Sequence, residues 1–362
     1  MDRWQKAFLQ LLRCGLWERA VEDLSLFPLS AKEWQLVCAE SERQTVQGLC
    51  HRGSKYLPDT CCPLQEVADR WMAYSIAITN ANEQVKNVTA SVCSKLQKGG
   101  IEPVLMKGQA VAQYYAMPQL RMCGDIDLFI NDSHQFESAC QLLGADHHQG
   151  ADGSVSYDVD GIEVELHRQL MDIQRPRSQR LVSSLLLQEG FGAMALIDGV
   201  EIKIPSPILT LLMLNAHIMK HVFTVGIGFR QFCDLARAYH ALNNHYDKSK
   251  LARIVDDLGL GRWSALLHGL LVDHLGLPKE ELPCETMNQD NQQLLRKVLS
   301  WGNFGQETKS WHDHAESHWH LKIHTGKRIL AGLPFSLRLA PAETIYIVKN
   351  LIKGQFIKNG YE

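Results

Sequence analysis

The sequence predicts an α+β fold in which a small mixed or antiparallel sheet core is flanked by N-terminal and C-terminal helical regions. Apolar residues recur at helical spacing in residues 1–100 and again in 206–362. The region between them, 101–205, contains short runs in which apolar and polar residues alternate, as in half-buried strands. Asp160–Gly161 and Asp198–Gly199 each separate two such runs, and Asp-Gly at that position signals a hairpin. We therefore predict three regions with these boundaries.

The first region is predicted to be helical. Ser30 is followed three residues later by Glu33, a capping-box pattern that marks the start of a helix. A long helix is predicted from Leu64 to Gln97, because Gly99–Gly100 provides a stop signal directly after it.

The central region is predicted to alternate strands with helices. A short apolar strand ends at Lys107–Gly108, a helix follows, and the next strand carries two acids. Ser133 is predicted to cap a helix that runs to Leu143. The predicted strands are Pro103–Met106, Asp125–Ile130, Ser154–Val159, Ile162–His167, Ala193–Ile197 and Val200–Ile204, and the first predicted helix is Gln109–Tyr115.

The last region returns to helical periodicity after Pro205. Residues 283–325 are less periodic and include a histidine-rich stretch, Trp311–His324. Zinc sites need three or four ligands and supporting partners, so we interpret this stretch as a polar helix or loop with incidental histidines. The predicted helices are Ile208–Val222, Phe229–Leu242, Leu251–Leu258, Arg262–Leu275 and a terminal one over 341–358.

Composition gives no support to several classes of protein. The net charge of -3 and the charged fraction of 21% give no global case for binding nucleic acid, so a nucleic-acid partner is disfavoured. The ten cysteines form no CxxC framework, which favours reduced, mostly buried thiols and a cytoplasmic location. We expect no membrane partner, because no apolar run reaches spanning length and the N-terminus resembles an amphipathic helix rather than a signal peptide.

Two aspartates, Asp125 and Asp127, are the strongest indication of chemistry. They lie one residue apart in a predicted strand and therefore point to the same face. Adjacent carboxylates repel each other, and a sequence tolerates them most readily where a cation lies between them. Oxygen ligands at this spacing suit Mg²⁺, especially where substrate phosphates complete its coordination shell. The alternative is a solvated strand end.

A third acid could come from the predicted strand Ile162–His167. Its apolar residues share one face, and Glu163, Glu165 and His167 share the other. Either glutamate could face the aspartates, or Glu165 could be exposed and paired with Arg168 or Lys203. His167 is interpreted as a hydrogen-bonded strand histidine rather than a catalytic one.

Phosphate contacts are predicted at the turn Lys107–Gly108 and at Arg121. Gly108 would allow a ligand to approach the backbone closely, and Lys107 would add a positive charge. Arg121 lies four residues before Asp125, where it could neutralise phosphate, form a salt bridge with the aspartates, or do both. The alternative for Lys107 is a solvated turn.

The pattern KG-(16)-DIDLF followed by EVELH resembles the uncharacterised nucleotidyltransferase family of the polymerase-β-like superfamily, over residues 100–240. The resemblance implies a nucleotidyltransferase core in which Asp125, Asp127 and Glu165 are catalytic and hold Mg²⁺. It favours Glu165 over Glu163 because the family pattern ends in E-L-H, and it implies that this acid helps to deprotonate the acceptor hydroxyl.

The resemblance also implies nucleotide-binding roles for Lys107, Gly108, Arg121, His217 and Asp234. For His217 and Asp234 the alternative is helix packing or capping. The sequence departs from the superfamily at Gly108–Gln109, where Gly-Ser or Gly-Gly is usual.

The predicted function is Mg²⁺-dependent transfer of NMP from an NTP, with ATP favoured, to a hydroxyl of an unknown acceptor (a small molecule, sugar or protein), with release of pyrophosphate. The alternative is a catalytically degenerate protein of the same fold that binds a nucleotide or a partner without turnover.

Overall fold

The computed structural model describes residues 1–150, 153–284, 291–302 and 318–357. In these residues a seven-stranded sheet is combined with helices before, within and after it, which confirms the α+β prediction. None of these helices combines the length and apolar character that crossing a bilayer requires. The stretch 311–317 of the histidine-rich segment and the tail 358–362 lie outside the described residues.

The described chain divides into two compact units. The first unit comprises the described residues of Met1–Cys38, Val46–Leu170 and Leu185–Thr210, and the second comprises those of Ala39–Thr45, Met171–Ser184 and Leu211–Glu362. The three-region division 1–100, 101–205 and 206–362 stays a prediction, since it groups runs of similar secondary structure rather than compact units.

Four helices precede the sheet, and their starts follow the predicted signals. Ser30 accepts a hydrogen bond from the Glu33 N–H at 3.3 Å, while the Glu33 carboxylate accepts from Ser30 N–H at 2.9 Å, so the predicted capping box is confirmed. The long predicted helix is also confirmed, within one residue at each end. These helices are α1 (Arg3–Trp17), α2 (Ala31–Arg43), α3 (Gln47–Ser54) and α4 (Gln65–Lys98).

Helices α1 and α3 approach each other at glycines. A Cβ atom on Gly15 would lie 1.8 Å from the carbonyl oxygen of Leu49, and one on Gly53 would lie 1.9 Å from that of Leu11. Glycine at both positions therefore lets the two backbones come into contact.

The sheet has the order β3-β4-β5-β2-β1-β7-β6 and is mixed. β2 runs parallel to β5 and β1 runs parallel to β7, whereas the other neighbours are antiparallel. The strands are β1 (Val104–Leu105), β2 (Ile126–Phe129), β3 (His148–Gln149), β4 (Val155–Val159), β5 (Ile162–His167), β6 (Ala193–Ile197) and β7 (Val200–Ile204).

Both predicted hairpins are confirmed. β4 pairs with β5 and β6 pairs with β7, each antiparallel. Asp160 and Gly161 have φ values of 53° and 78°, and Asp198 and Gly199 have 47° and 77°. Positive φ at both central residues is what a two-residue type I′ turn requires, and Asp-Gly provides it at low cost.

Three helices lie within the sheet region, α5 (Gln109–Ala112), α6 (Ser133–Leu143) and α7 (Pro176–Glu189). The predicted cap of α6 is wrong by one residue: Asp132, not Ser133, accepts the hydrogen bond from Gln135 N–H, at 2.8 Å. A carboxylate caps as well as a hydroxyl, and Asp132 has the extended backbone of an N-cap.

One face of the sheet packs against α4 and α6. Ile126 and Leu128 of β2 and Val164 and Leu166 of β5 belong to this core, together with apolar residues of the two helices. Because side chains alternate along a strand, the remaining residues of β2 and β5 point to the opposite face. That second face carries the candidate site.

The remaining helices belong mainly to the second unit. Its interior contains polar pairs as well as apolar side chains: Trp263 donates to Asn215 at 3.0 Å, and the buried His268 lies 2.8 Å from the Tyr239 hydroxyl. These helices are α8 (Pro207–Phe223), α9 (Phe229–Leu242), α10 (Lys248–Asp257), α11 (Gly261–Leu275), α12 (Asn291–Trp301), α13 (His318–Leu339) and α14 (Pro341–Ile357).

Candidate active site

The register of two parallel strands builds the centre of the site. Asp127 of β2 is paired with Glu165 of β5, and Phe129 is paired with His167. All four side chains lie on the sheet face opposite the core shared with α4 and α6. Two carboxylates and an imidazole therefore meet on neighbouring strands.

His167 joins the two carboxylates. Its Nε2 atom lies 2.8 Å from Asp127 Oδ1 and 3.2 Å from Glu165 Oε2. Asp127 is 4% exposed, whereas Glu165 and His167 are half-buried. One ligand atom from each of the three residues lies within 4.8 Å of the others. In the described part of the chain, this is the group whose geometry suits a shared cation.

The hydrogen bonds of this cluster shift its protonation. Burial alone lowers the pKa of His167, but its hydrogen bonds to Asp127 and Glu165 outweigh burial and raise that pKa from 6.5 to about 9. The hydrogen bond from His167 lowers the pKa of Glu165, and one from Ser154 at 2.7 Å adds to this effect. At neutral pH His167 is therefore an imidazolium and Glu165 is ionised.

Ser154 also orients Glu165. Its buried hydroxyl donates to Oε1, whereas the other carboxylate oxygen, Oε2, lies nearest to His167. One oxygen is thus fixed from behind while the second is directed toward the cluster, which is how outer partners position a metal ligand.

Lys107 reaches the same cluster from the end of β1. Its Nζ lies 3.4 Å from Asp127 Oδ1, so it is not simply a solvated turn lysine. The next residue, Gly108, has φ 55° and ψ −116°, a conformation that is open to glycine and strained for other residues. This turn holds Lys107 beside the acids, and a Cβ on Gly108 would lie 3.4 Å from the Asp125 carbonyl oxygen.

Asp125 and Glu163 stand apart from the cluster. Asp125 is exposed and precedes β2, and the three-ligand group does not include it. Glu163 is exposed and is paired in register with Asp158 of β4. The structure thus brings together Asp127, Glu165 and Lys107 from the predicted set, with His167 as an added member.

Arg121 lies in the loop that leads to β2. It is 6% exposed, and its Nη1 donates to the Met122 carbonyl oxygen at 3.3 Å and lies 3.1 Å from Cys123 Sγ. Asn82 of α4 fixes the same loop: its Nδ2 donates to the carbonyl oxygens of Gln119 and Arg121, and its Oδ1 accepts from Cys123 N–H at 3.1 Å. Asn82 therefore holds in place the loop that precedes Asp125 and Asp127.

His217 and Asp234 lie in the second unit. His217, in α8, places Nδ1 3.3 Å from Asp172 Oδ2, and Lys220 donates to the other oxygen of that carboxylate at 2.6 Å. Asp234 is buried in α9. The nucleotide-binding roles of His217 and Asp234 stay predictions.

Sequence reasoning did not assign a site role to His167, Ser154 or Asn82. A signal for His167 was present, because it follows Glu165 by two residues and must share its face. Ser154 and Asn82 gave no comparable signal, since their partners are set by strand pairing and by a loop distant in sequence.

The donor set fits a divalent cation. A buried carboxylate, a second carboxylate with an orienting hydrogen bond and a nitrogen donor each place one atom within 4.8 Å of the others. A cation held there could balance charge on phosphate oxygens.

Comparison with known proteins identifies the family. The model of a family described as uncharacterised nucleotidyltransferases matches residues 30–276. The chain belongs to this family. Membership supports a general function in nucleotidyl transfer, indicates an enzyme, and implies an NTP substrate. The match also includes α2, α3 and α4, which precede the part of the chain on which the sequence resemblance rests.

One solved structure is similar to this nucleotidyltransferase family member. It is the crystal structure of an antigenic nucleotidyltransferase-like protein from Paracoccidioides brasiliensis, which is 18% identical, with a TM-score of 0.33. The similarity covers 55% of this chain and 94% of that one. No curated protein matches the chain.

Proposed function

We propose that this protein is a Mg²⁺-dependent nucleotidyltransferase that moves NMP from an NTP, with ATP favoured, to a hydroxyl of an acceptor and releases pyrophosphate. The observation that carries the proposal is the in-register pair of Asp127 and Glu165, whose carboxylates converge in a member of a nucleotidyltransferase family. The acceptor class remains a small molecule, a sugar or a protein, and the proposed compartment is the cytoplasm.

Each acid has a proposed role. Asp127 and Glu165 would hold Mg²⁺, and Asp125 would contribute from the exposed segment just before β2. A bound Mg²⁺ neutralises charge on the reacting phosphate and on its leaving group. Glu165, whose pKa is lowered by His167 and which is therefore ionised at neutral pH, would also accept the proton of the acceptor hydroxyl.

The cations around the acids would bind the triphosphate. Lys107 is already within 3.4 Å of Asp127, so a phosphate beside the cluster would meet a fixed positive charge. The Gly108 turn has no side chain that would obstruct the approach of a ligand. Arg121 would add a second positive charge, and His217 and Asp234 stay as predicted nucleotide contacts.

A second candidate is a protein that binds the nucleotide without turnover. It is favoured first by the ion pairs of Asp127, whose carboxylate lies 2.8 Å from His167 Nε2 and 3.4 Å from Lys107 Nζ, so that side chains of the protein itself offset its charge. The departure at Gly108–Gln109, where the superfamily hydroxyl is missing, favours the same reading.

One experiment separates the two candidates. The purified protein is incubated with Mg²⁺, each of the four NTPs in turn and a cell extract, and pyrophosphate release and acceptor mass are followed. We expect pyrophosphate release with ATP and an acceptor whose mass has increased by one AMP group. Both signals should be lost in Asp127→Ala. Glu163→Gln, an exposed acid on the next strand, is the control that should retain activity. Equal release in Asp127→Ala would exclude the proposed chemistry, and nucleotide binding without release would favour the second candidate.

A further inference from the structure

The ligand group of the candidate site contains a nitrogen donor as well as oxygens. His167 Nε2 lies 2.8 Å from Asp127 Oδ1 and 3.2 Å from Glu165 Oε2, so it occupies the space between the two carboxylates. An ion held by both carboxylates would therefore meet the imidazole as well. Only a deprotonated ring nitrogen binds a metal, so the ion would displace the Nε2 proton, which is released to solvent.

We propose that His167 Nε2 is a direct ligand of the divalent cation, and that the site consequently binds Mn²⁺ more tightly than Mg²⁺. The inference deepens the proposed function and rests on its cation site, formed by Asp127 and Glu165. Mg²⁺ can still support the reaction where it is abundant, but it is not the cation that this donor set selects.

The fold keeps the imidazole in place. His167 is the last residue of β5 and is paired with Phe129, whose ring centroid lies 5.6 Å from that of Phe191. The His167 side chain is 15% exposed. Its backbone is tied to the sheet as well, because the His167 carbonyl oxygen accepts from Ile130 N–H at 3.1 Å. A largely buried ring on a backbone that is held in the sheet stays near an ion that binds its two neighbours.

Cation chemistry then sets the preference. Mg²⁺ is a hard ion that requires near-ideal octahedral oxygen coordination and sheds water reluctantly. First-row transition ions accept imidazole, and Mn²⁺ combines this tolerance with the affinity for carboxylate and phosphate oxygen that nucleotidyl transfer needs. An imidazole beside the carboxylates therefore favours Mn²⁺ over Mg²⁺ more strongly than carboxylates alone would.

The test measures cation binding without substrate turnover. Metal-stripped full-length protein is titrated with Mn²⁺ while the electron paramagnetic resonance signal of free Mn²⁺ is followed, and Mg²⁺ is then added as competitor. We expect the ratio of Mn²⁺ affinity to Mg²⁺ affinity to fall by at least about tenfold in His167→Asn and His167→Gln. His148→Asn, an exposed histidine of β3 in the same sheet, is the matched control and should keep the wild-type ratio.

A spectroscopic readout identifies the ligand without any substitution. Pulsed electron paramagnetic resonance of bound Mn²⁺ should show coupling to a directly bonded nitrogen, and that coupling should change when the protein carries ¹⁵N-labelled histidine. A residue that only positions Asp127 would give no such coupling. This measurement holds even if the His167 variants fold poorly.

The outcomes separate this inference from the proposed function. In one outcome, Mn²⁺ binding depends on Asp127 but shows no coupling to histidine nitrogen, and the His167 variants keep the wild-type ratio of Mn²⁺ to Mg²⁺ affinity. That outcome would overturn the inference and leave the proposed cation site intact. Nitrogen coupling without pyrophosphate release would support the inference and count against the proposed turnover. Binding of neither ion, or binding unchanged in Asp127→Asn, would overturn both.

Discussion

His167 Nε2 lies 2.8 Å from Asp127 Oδ1, which links a buried carboxylate on β2 to an imidazole on β5. The same nitrogen lies 3.2 Å from Glu165. The imidazole therefore lies between the two carboxylates and offsets their mutual repulsion.

The first prediction concerns pH. The groups that face His167 are Asp127, Glu165 and Lys107. Burial and the charge of Lys107 lower the pKa of His167, but its hydrogen bonds to the two carboxylates outweigh them and raise that pKa from 6.5 to about 9. A pKa raised in the folded state means that the stabilisation is fully present below pH 6.5 and is lost as pH rises to 9. We expect the free energy of unfolding of the metal-free protein to fall by roughly 3 kcal/mol over that range.

Urea unfolding of wild type and His167→Asn at pH 6.5 and pH 9.5 checks this expectation. The free energy of unfolding of the variant should differ much less between the two pH values. The difference that remains in the variant comes from other titrating groups and is subtracted from that of wild type. An imidazole titration by NMR that places the pKa of His167 at or below 6.5 would contradict the prediction.

The second prediction distinguishes the two glutamates of β5. Glu165 is paired with Asp127 and accepts a hydrogen bond from the Ser154 hydroxyl, whereas Glu163 is exposed and paired with Asp158. We expect Glu165→Gln to reduce pyrophosphate release at least about 100-fold, because a charged cation ligand is lost. Glu163→Gln should stay within about twofold of wild type, since it removes an exposed charge. Similar losses of pyrophosphate release in both variants would show that the register of β5 does not determine which glutamate takes part in the reaction.

Local patterns were sufficient to predict most elements of the sheet. Asp-Gly between alternating runs specifies a turn without knowledge of the rest of the fold, and both hairpins formed as predicted. The alternation of β2 and β5 also predicted which side chains share a face. β3 and α7 were not predicted, because β3 is two residues long and the α7 segment carries an 84% exposed Leu187 that weakens its amphipathic pattern.

The details of the site depend on pairing, which a single sequence does not specify. Glu163 and Glu165 share a face, and only the register of β5 against β2 places Glu165 opposite Asp127. The family resemblance favoured Glu165, and alternation showed that His167 shares its face. The contact of His167 with both carboxylates, however, follows only from the register of the two strands. Alternation along one strand determines which side chains share a face, whereas the pairing of neighbouring strands determines which of them meet in the site.

The third prediction tests the turn beside Lys107. Gly108→Ala should lower the free energy of unfolding by about 1–3 kcal/mol, because alanine is strained at φ 55° and ψ −116°. It should also lower pyrophosphate release, since Lys107 depends on this turn for its position. Gly124→Ala is the matched control: Gly124 has no positive φ and a Cβ there would meet nothing within 4 Å. Equal stability of the two variants, measured by denaturant unfolding, would refute the strain argument.

The fourth prediction concerns the loop before β2. Asn82 is 6% exposed and satisfies two carbonyl oxygens and one N–H of the loop, at distances of 2.9, 2.7 and 3.1 Å. Alanine would leave these backbone groups without the side chain that satisfies them, at roughly 1–3 kcal/mol for each group that water cannot reach. The better helix propensity of alanine offsets only about 0.5 kcal/mol of this loss.

We therefore expect Asn82→Ala to be destabilised by about 2–4 kcal/mol and to release pyrophosphate more slowly, because the loop carries Arg121 and leads to Asp125. Asn80→Ala makes the same chemical change at an exposed position of α4 and should be neutral or slightly stabilising. Urea unfolding gives the stability difference, and hydrogen exchange of the Cys123 amide shows whether the loop has come loose. If Asn82→Ala kept wild-type exchange at Cys123 together with wild-type stability, the loop would be held by its other contacts, and Asn82 would have no positioning role.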